Sequence, residues 1–231
     1  MKHYLSIFLI TLLFVSCGPP EFEKNTRILV KGSLVDGNSN SIPNVEISIY
    51  TRRPLGFIGR DGNAFLLGRN YSQQNGIFNV TSLFDRDDDF TIEIDGQDKF
   101  SNYVYSTNTT NYLPQNLIFE LQTVTLKTLS DFNYKISRES PQGTQLRFFF
   151  KYKSESCYEF FDEGVLNPIK TNCFTEISTG RFLNDDNPDI SNKFLTLLGS
   201  EIEFRYTIND EPEVIETFII DKENYEFEFS Y

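Results

Sequence analysis

The chain of 231 residues contains no tryptophan and one histidine, His3, which lies two positions after the first methionine. The rest of the chain therefore lacks the base of Ser–His and Cys–His nucleophilic mechanisms and a histidine ligand for zinc. Many sugar-binding surfaces stack their ligands on tryptophan, so its absence counts against a polysaccharide receptor. These absences exclude several common kinds of active site before any motif is considered.

The apolar run at the start of the chain is too short to cross a bilayer. It extends from Tyr4 to Val15, whereas a membrane-spanning helix needs about 20 apolar residues. Lys2 precedes the run and the small residue Ser16 follows it, which is the arrangement of a secretory signal. We therefore expect residues 1–16 to be a signal peptide that is removed from the mature protein.

The residues FVSC, which end at Cys17, resemble the lipobox of bacterial lipoproteins, although Phe14 replaces the usual leucine. The resemblance implies cleavage before Cys17 and a diacylglycerol-modified thiol that anchors the chain in a membrane. Residues 17–27 are then a tether, because Gly18 and the two prolines after it cannot continue a helix. The alternative is an ordinary secretory signal followed by an incidental cysteine.

The residues after Cys17 indicate a destination for such a lipoprotein. Gly18, in place of aspartate, is typical of sorting to the outer membrane. Glu21 and Glu23 resemble the acidic patch of surface-exported lipoproteins from Bacteroidota. We therefore expect a lipid-anchored protein of the bacterial outer membrane, on either its periplasmic or its cell-surface face.

The chain is strongly acidic, with 33 acidic side chains against 21 basic ones and a net charge of −12. A surface of this sign repels nucleic acid and anionic lipid headgroups at close range. We therefore expect no nucleic-acid partner. Proteins, neutral ligands or cations fit this charge better.

Two cysteines remain after Cys17 is assigned to the lipid anchor. Cys157 and Cys173 form an even pair, and an oxidising compartment favours a disulfide between them. The alternative is a catalytic thiol, which needs a nearby base that the chain after His3 does not supply as histidine. The sequence predicts the disulfide.

Strand patterns dominate the rest of the chain, in which apolar and polar residues alternate between turns rich in Gly, Pro, Asn and Asp. The clearest segments are IPNVEISIY from Ile42, FTIEID from Phe90, QLRFFFKYK from Gln145, EIEFRYTI from Glu201 and NYEFEFSY from Asn224. The sequence predicts an all-β fold of packed sheets. Only residues 191–199, SNKFLTLLG, favour one or two helical turns.

We expect two β-sandwich domains, at residues 28–126 and 127–231. The boundary falls at LKTLSDFN, residues 126–133, because one set of apolar strands ends there and the set with both cysteines begins. The second domain is compared with an Ig-like sandwich by analogy alone, and no family is assigned to it.

The first domain opens with VKGSLVDGNSNSIPNVEISIY, which resembles the start of carboxypeptidase-regulatory-like domains. The residues that carry the resemblance are Val30, Gly32, Leu34, Asp36, Ile42, Pro43 and Val45, with Gly76 and Phe78 in a later turn and strand. The resemblance implies a transthyretin-like β-sandwich that positions or braces a neighbouring protein. The hydroxyisourate-hydrolysing enzymes of the same shape rely on histidine and a different C-terminus, so their activity is not expected.

Two charged segments of the first domain are candidate sites. A basic, Gly-rich connection carries Arg52, Arg53, Arg60 and Arg69, and it is either a docking loop or a solvated hairpin whose arginines pair with acids. Asp85, Asp87 and Asp89 stand at alternate positions, as the first ligands of a calcium loop do. The glycine and closing glutamate of an EF-hand are missing, so a solvated acidic turn is the alternative.

Taken together, these features predict a non-catalytic binding or accessory module that docks on another outer-membrane or surface protein. The first alternative is a ligand-binding lipoprotein of a nutrient-uptake system, which a concave tyrosine-rich surface would favour. The second is a hydrolase that uses two carboxylates about 5–9 Å apart. No cofactor is expected, apart from the calcium considered for the aspartates.

Overall fold

The computed structural model describes residues 22–51, 64–86 and 88–231. Within these ranges the regular structure consists of strands, so the predicted all-β fold is confirmed. The strands form four sheets, which pack in pairs around two hydrophobic cores. The chain is therefore built as two β-sandwiches.

The strands of the first part of the chain are β1 (Ile28–Val35), β2 (Glu46–Thr51), β3 (Phe65–Tyr71), β4 (Ile77–Ser82), β5 (Asp89–Asp95), β6 (Asn102–Asn108) and β7 (Ile118–Thr125). Those that follow are β8 (Leu129–Ser137), β9 (Leu146–Lys153), β10 (Ser156–Asp162), β11 (Val165–Leu166), β12 (Asn172–Cys173), β13 (Glu176–Leu183), β14 (Ile190–Leu197), β15 (Glu201–Ile208), β16 (Val214–Ile219) and β17 (Asn224–Ser230).

The first sandwich consists of a short sheet and a long sheet. The short sheet has the strand order β4-β1-β7, and the long one has the order β3-β2-β5-β6-β10-β11, with β12 also paired to β10. The alternating apolar side chains of the sequence point into the space between them, so that Ile47, Ile49, Ile92 and Phe119 are buried. The core of this sandwich thus follows directly from the period-two pattern.

One part of the long sheet comes from beyond the predicted boundary. Strand β10 pairs in parallel with β6, with Cys157 opposite Tyr103 and Glu159 opposite Tyr105. The sequence predicts residues 156–173 as part of the second sandwich, and the structure instead places β10, β11 and β12 in the first. The chain thus leaves the second sandwich after β9 and returns to it at β13.

The second sandwich packs a sheet of order β13-β9-β15-β16 against one of order β14-β8-β17. Its core is rich in phenylalanine: the ring centroid of Phe132 lies 5.3 Å from that of Phe150 and 4.8 Å from that of Phe194. The helical turns expected at residues 191–199 are wrong, because Ile190–Leu197 forms β14 and pairs with β8 over its whole length. Pairing with a neighbouring strand overrides the local preference here.

Candidate functional site

The two sheets of the first sandwich differ in width, and this difference creates a cleft. The ring of Phe119, on β7, stacks on Phe90 of β5 at 4.7 Å and meets Tyr105 of β6 edge-on at 6.1 Å. Strand β7, the last strand of the short sheet, therefore lies over β5 and β6. The next strand of the long sheet, β10, extends beyond it.

The cleft lies between β7 and the inner face of β6 and β10, and its volume is about 470 Å³. Side chains from both halves of the sequence line it, among them Tyr103, Tyr105, Tyr112, Glu120, Glu159 and Phe161. This concave surface, which combines aromatic rings with polar groups, is the candidate functional site.

Tyr103 and Glu159 form the polar centre of the cleft. The Tyr103 hydroxyl donates a hydrogen bond of 2.6 Å to Oε2 of Glu159. Burial of the phenol, followed by the hydrogen bond to Glu159, raises the pKa of Tyr103 far above its ordinary value. Near neutral pH the phenol is therefore a hydrogen-bond donor and not a nucleophilic phenolate.

Tyr105 and Phe161 form an aromatic wall beside this pair. Their rings stack with centroids 4.3 Å apart, and they belong to the neighbouring strands β6 and β10. Burial, followed by the nearby Tyr112, raises the pKa of Tyr105 as well. The wall is thus uncharged, and because Tyr105 is buried, the half-buried Phe161 is the part of it that can pack against apolar side chains.

Tyr112 closes one end of the cleft against the turn between β10 and β11. Gly164 occupies that turn with φ +79°, and a Cβ atom at this position would lie 2.6 Å from Cε2 of Tyr112. A larger residue would therefore have to displace the tyrosine ring. Glycine is needed here for both the positive φ and the close approach.

The predicted disulfide is confirmed, and it lies at the cleft. Cys157 and Cys173 are directly opposite each other in the antiparallel pair of β10 and β12, and their sulfurs are bonded. The Glu159 carboxylate lies within 4.8 Å of both sulfurs. Because the thiols are joined, this group stiffens the outer edge of the long sheet and is not a set of free metal ligands.

An exposed apolar hairpin borders the cleft beyond β10. Val165 is 70% exposed, Leu166 is 42% exposed and Ile169 is 92% exposed. Strand β11 within this hairpin pairs with the end of β10, through Phe161 and Asp162. Leu166 therefore lies on the same face of the sheet as Phe161, which lines the cleft, whereas Val165 lies on the other face.

The residues that the sequence singled out lie elsewhere. Cys17, Arg52, Arg53, Arg60 and Asp87 lie outside the described residues. Arg69, on β3, forms an ion pair in which its Nε lies 3.2 Å from Oε1 of Glu46. Arg69 therefore pairs with an acid, which is the alternative to docking. The docking loop itself stays a prediction.

Asp85 and Asp89 lie at the two ends of the loop that leads into β5. The Thr51 hydroxyl donates to Oδ2 of Asp85 at 3.3 Å, and the Asn108 side-chain amide donates to Oδ1 of Asp89 at 3.0 Å. Asp85 is buried, whereas Asp89 is half-buried. Calcium binding by these residues stays a prediction.

Sequence reasoning missed the cleft, because residues 56 positions apart meet in it. A weak signal was present in NYVYS, where Tyr103 and Tyr105 alternate on one face of a strand. Nothing in the sequence indicates that Glu159 lies next to them. The disulfide prediction joined Cys157 to Cys173 but did not place either near β6.

No family model matches the chain, and no curated protein is similar to it. Among solved structures, the Bacillus anthracis TIE protein aligns with 90% of the chain at 15% identity and a TM-score of 0.34. The chain spans only 34% of that protein's length. The shaft pilin SpaA from Lactobacillus rhamnosus GG aligns with 89% of the chain and 98% of its own length, at 10% identity and a TM-score of 0.31.

The Streptococcal ancillary pilin aligns with 90% of the chain and 63% of its own length, at 13% identity and a TM-score of 0.33. Similarities at this level carry no information about function. The fold described above rests on the strand pairing itself. In the described part of the chain, no helix is long and apolar enough to span a bilayer.

Proposed function

We propose that this protein is a lipid-anchored protein of the bacterial outer membrane that acts as a non-catalytic binding module and docks on another envelope protein. The observation that carries the proposal is the open cleft of the first sandwich with its exposed hairpin. The hairpin begins next to Gly164, which lines the cleft, and it exposes Leu166 on the same face as Phe161, together with Val165 and Ile169, an arrangement that favours a protein partner.

The anchor in this proposal is Cys17, through its resemblance to lipobox cysteines. The Cys157–Cys173 disulfide supports a location outside the cytoplasm, because structural disulfides persist in oxidising compartments. The resemblance of the opening strands to carboxypeptidase-regulatory-like domains supports a bracing or positioning role. Either face of the outer membrane agrees with these features.

The contacts of the cleft's carboxylates favour binding over catalysis. Glu159 accepts the hydrogen bond from Tyr103, and Oε1 of Glu120 lies 3.2 Å from the ammonium of Lys31. A hydrolase of the two-carboxylate type needs one protonated acid and one free carboxylate across the substrate. Carboxylates that are already held in this way suit recognition, so hydrolysis is the weakest of the three hypotheses.

A small-molecule ligand of a nutrient-uptake system is the second candidate. The observation that favours it is the aromatic lining of the cleft, whose volume lies within the range of ligand pockets. However, Tyr103 and Tyr105 are less than a tenth exposed, so their ring faces are largely covered by neighbours. The exposed apolar hairpin has no role in that hypothesis, and for this reason we prefer docking.

Site-specific cross-linking in intact cells tests the proposal. A photo-reactive amino acid replaces Ile169 on the hairpin, and a matched control places it at the exposed Glu226 of β17. We expect one discrete adduct with a membrane protein from position 169 and none from position 226. The Cys17→Ala variant should lose the adduct, because the protein is no longer held at the membrane. Equal adducts at both positions, or none at either, would contradict docking.

A further inference from the structure

Strand β7 has an unpaired backbone edge along the cleft. Within the described residues it pairs only with β1, in parallel. The Leu29 amide donates to the Leu117 carbonyl at 3.0 Å, and the Leu126 amide donates to the Val35 carbonyl at 2.9 Å. The register shifts between Lys31 and Ser33, so the pattern beyond the shift is set by the bond of Leu126 and not by that of Leu117. Alternate residues of a parallel ladder bond to the same neighbour, so Thr123 and Thr125 direct their amides and carbonyls away from β1 and into the cleft.

The inner face of β10 is only partly covered at the same place. Cys157, Glu159 and Phe161 alternate along this strand and line the cleft from the long sheet. A fourth strand in the short sheet would lie about 4.8 Å beyond β7 and about 10 Å above β10. The cleft therefore occupies the position that a further strand of the short sheet would fill.

The charge of the cleft indicates what such a strand would carry. Its charged lining residues, Glu120 and Glu159, are both acidic. Glu120 is paired with Lys31, whereas no cation among the described residues forms an ion pair with Glu159. A half-buried carboxylate with only one hydrogen-bond donor is best complemented by a cationic side chain.

From this geometry we infer that the cleft binds one extended segment of a partner protein, which adds to β7 as a fourth strand and places a lysine or arginine opposite Glu159. The inference rests on the proposed docking function and specifies its partner. The main-chain edge of β7 supplies hydrogen bonds, and the floor of the cleft supplies specificity, as in other cases of strand addition.

The spacing of the floor residues defines the pattern of the segment. Strands in packed sheets run within about 30° of each other, so the added strand follows β10. Its inward side chains, at every second position, then meet Cys157, Glu159 and Phe161 in turn. The expected pattern is an apolar residue, a basic residue and an apolar residue, each separated by one outward polar residue.

Two labelled peptides of matched sequence test this inference on the full-length protein in detergent micelles. The heptapeptide acetyl-SVTKTVS-amide carries the expected pattern, and acetyl-SVTETVS-amide differs only in the central charge. Fluorescence anisotropy gives the Kd of each. We expect the lysine peptide to bind at least about tenfold more tightly than the glutamate peptide, and this preference to disappear in Glu159→Gln.

A proline variant tests whether the backbone edge takes part. Thr125→Pro removes an amide on the free edge of β7, whereas Thr125→Val keeps both the amide and a β-branched side chain. We expect Thr125→Pro to weaken binding of the lysine peptide by about tenfold and Thr125→Val to bind as the wild type does. Circular dichroism and thermal melting show whether the variants fold. If Thr125→Pro does not fold, the comparison of the two peptides on Glu159→Gln still tests the inference.

Three results would overturn strand addition: no binding of the lysine peptide, equal binding of both peptides, or unchanged binding by a folded Thr125→Pro variant. The cross-link from position 169 then distinguishes a failure of strand addition from a failure of docking. If that adduct forms in Thr125→Pro as in the wild type, the protein docks through its hairpin and strand addition is wrong. If the adduct is absent from the wild type too, docking itself is wrong.

Discussion

The hydroxyl of Tyr103 donates a 2.6 Å hydrogen bond to the carboxylate of Glu159, and this bond joins the neighbouring strands β6 and β10. A second bond, from the Thr107 hydroxyl to the Phe161 carbonyl at 2.8 Å, supports the same strand pair. Side chains thus reinforce the parallel ladder that ties β10 to the first sandwich. They also set the orientation of the one carboxylate to which we assign partner recognition.

Removing the Tyr103 hydroxyl should destabilise the protein. Tyr103→Phe keeps the ring but deprives Glu159 of its donor in a half-buried site, so we expect the free energy of unfolding to fall by about 1–3 kcal/mol. Urea denaturation measures the change. The matched control is Tyr71→Phe, because Tyr71 donates to Glu46 at 3.0 Å but is 46% exposed, and its loss should cost less than about 0.5 kcal/mol. Equal losses in the two variants would show that the hydrogen bond between Tyr103 and Glu159 stabilises the protein no more than the exposed bond between Tyr71 and Glu46.

The stability of the protein should fall above pH 10. Burial raises the pKa of Tyr103 and Tyr105 in the folded state, whereas both ionise near their ordinary value of 10.0 when the chain unfolds. Above that pH the unfolded chain has lost protons that the folded chain keeps, so the free energy of unfolding decreases as pH rises.

The contribution of Tyr103 to this pH dependence can be isolated. Each of the two tyrosines contributes up to about 1.4 kcal/mol per pH unit, and Tyr103→Phe removes one of them. Denaturation series from pH 8 to pH 11 should therefore show a smaller slope above pH 10 for Tyr103→Phe than for the wild type, with parallel curves below pH 9. Identical slopes would mean that Tyr103 ionises in the folded protein as it does in the unfolded chain.

Loss of the disulfide should weaken the long sheet of the first sandwich. Cys157 and Cys173 are 16 positions apart, and in the chain-entropy model a bridge across such a loop contributes about 3 kcal/mol. We expect the combined change Cys157→Ala and Cys173→Ala to lower the free energy of unfolding by this amount in urea denaturation. Cys17→Ala is the control, because it leaves the bridge intact. Wild type treated with a reducing agent should match the double variant, and a stability that does not respond to either treatment would refute the expectation.

The core of the second sandwich should depend strongly on Phe132. Its ring is fully buried and lies near those of Phe150, Phe194 and Tyr225, so Phe132→Ala should cost about 3–5 kcal/mol. Phe149 lies on β9 next to Phe150 but is 43% exposed, and Phe149→Ala should cost less than about 1 kcal/mol. Thermal and urea unfolding of both variants check this difference. A larger loss of stability from Phe149→Ala than from Phe132→Ala would contradict the assignment of Phe149 to the exposed face of β9.

The core faces could be predicted from the sequence because a strand has a strict period of two. In QLRFFFKYK the alternation assigns Leu146, Phe148 and Phe150 to one face, and all three are fully buried. Phe149 is as apolar as its neighbours, yet it lies on the exposed face, because the direction of a side chain follows its position in the strand and not its composition. Residues 191–199 show the opposite outcome, since the local pattern favoured helical turns and pairing with β8 made a strand.

The cleft could not be predicted, because it depends on how the strands are ordered in the sheets. The sequence of β10 alternates like that of its neighbours, and no residue in it reveals that its partner is β6 and not β9. Parallel pairing between distant segments leaves no local mark in the chain, unlike the turn of a hairpin. The predicted boundary at residues 126–133 assumed that neighbours in sequence stay neighbours in space, and β10 does not follow that rule.

The position of β10 in the long sheet has a consequence for the order in which the protein folds. A chain generally folds its N-terminal domain first. Here the first sandwich cannot finish its long sheet until residues 127–153, which belong to the second sandwich, have already emerged. Until Asp162 is available, β6 is an open edge that other chains can pair with. Residues 28–126 expressed alone would keep that edge permanently, because the strand that covers it follows β8 and β9 of the second sandwich.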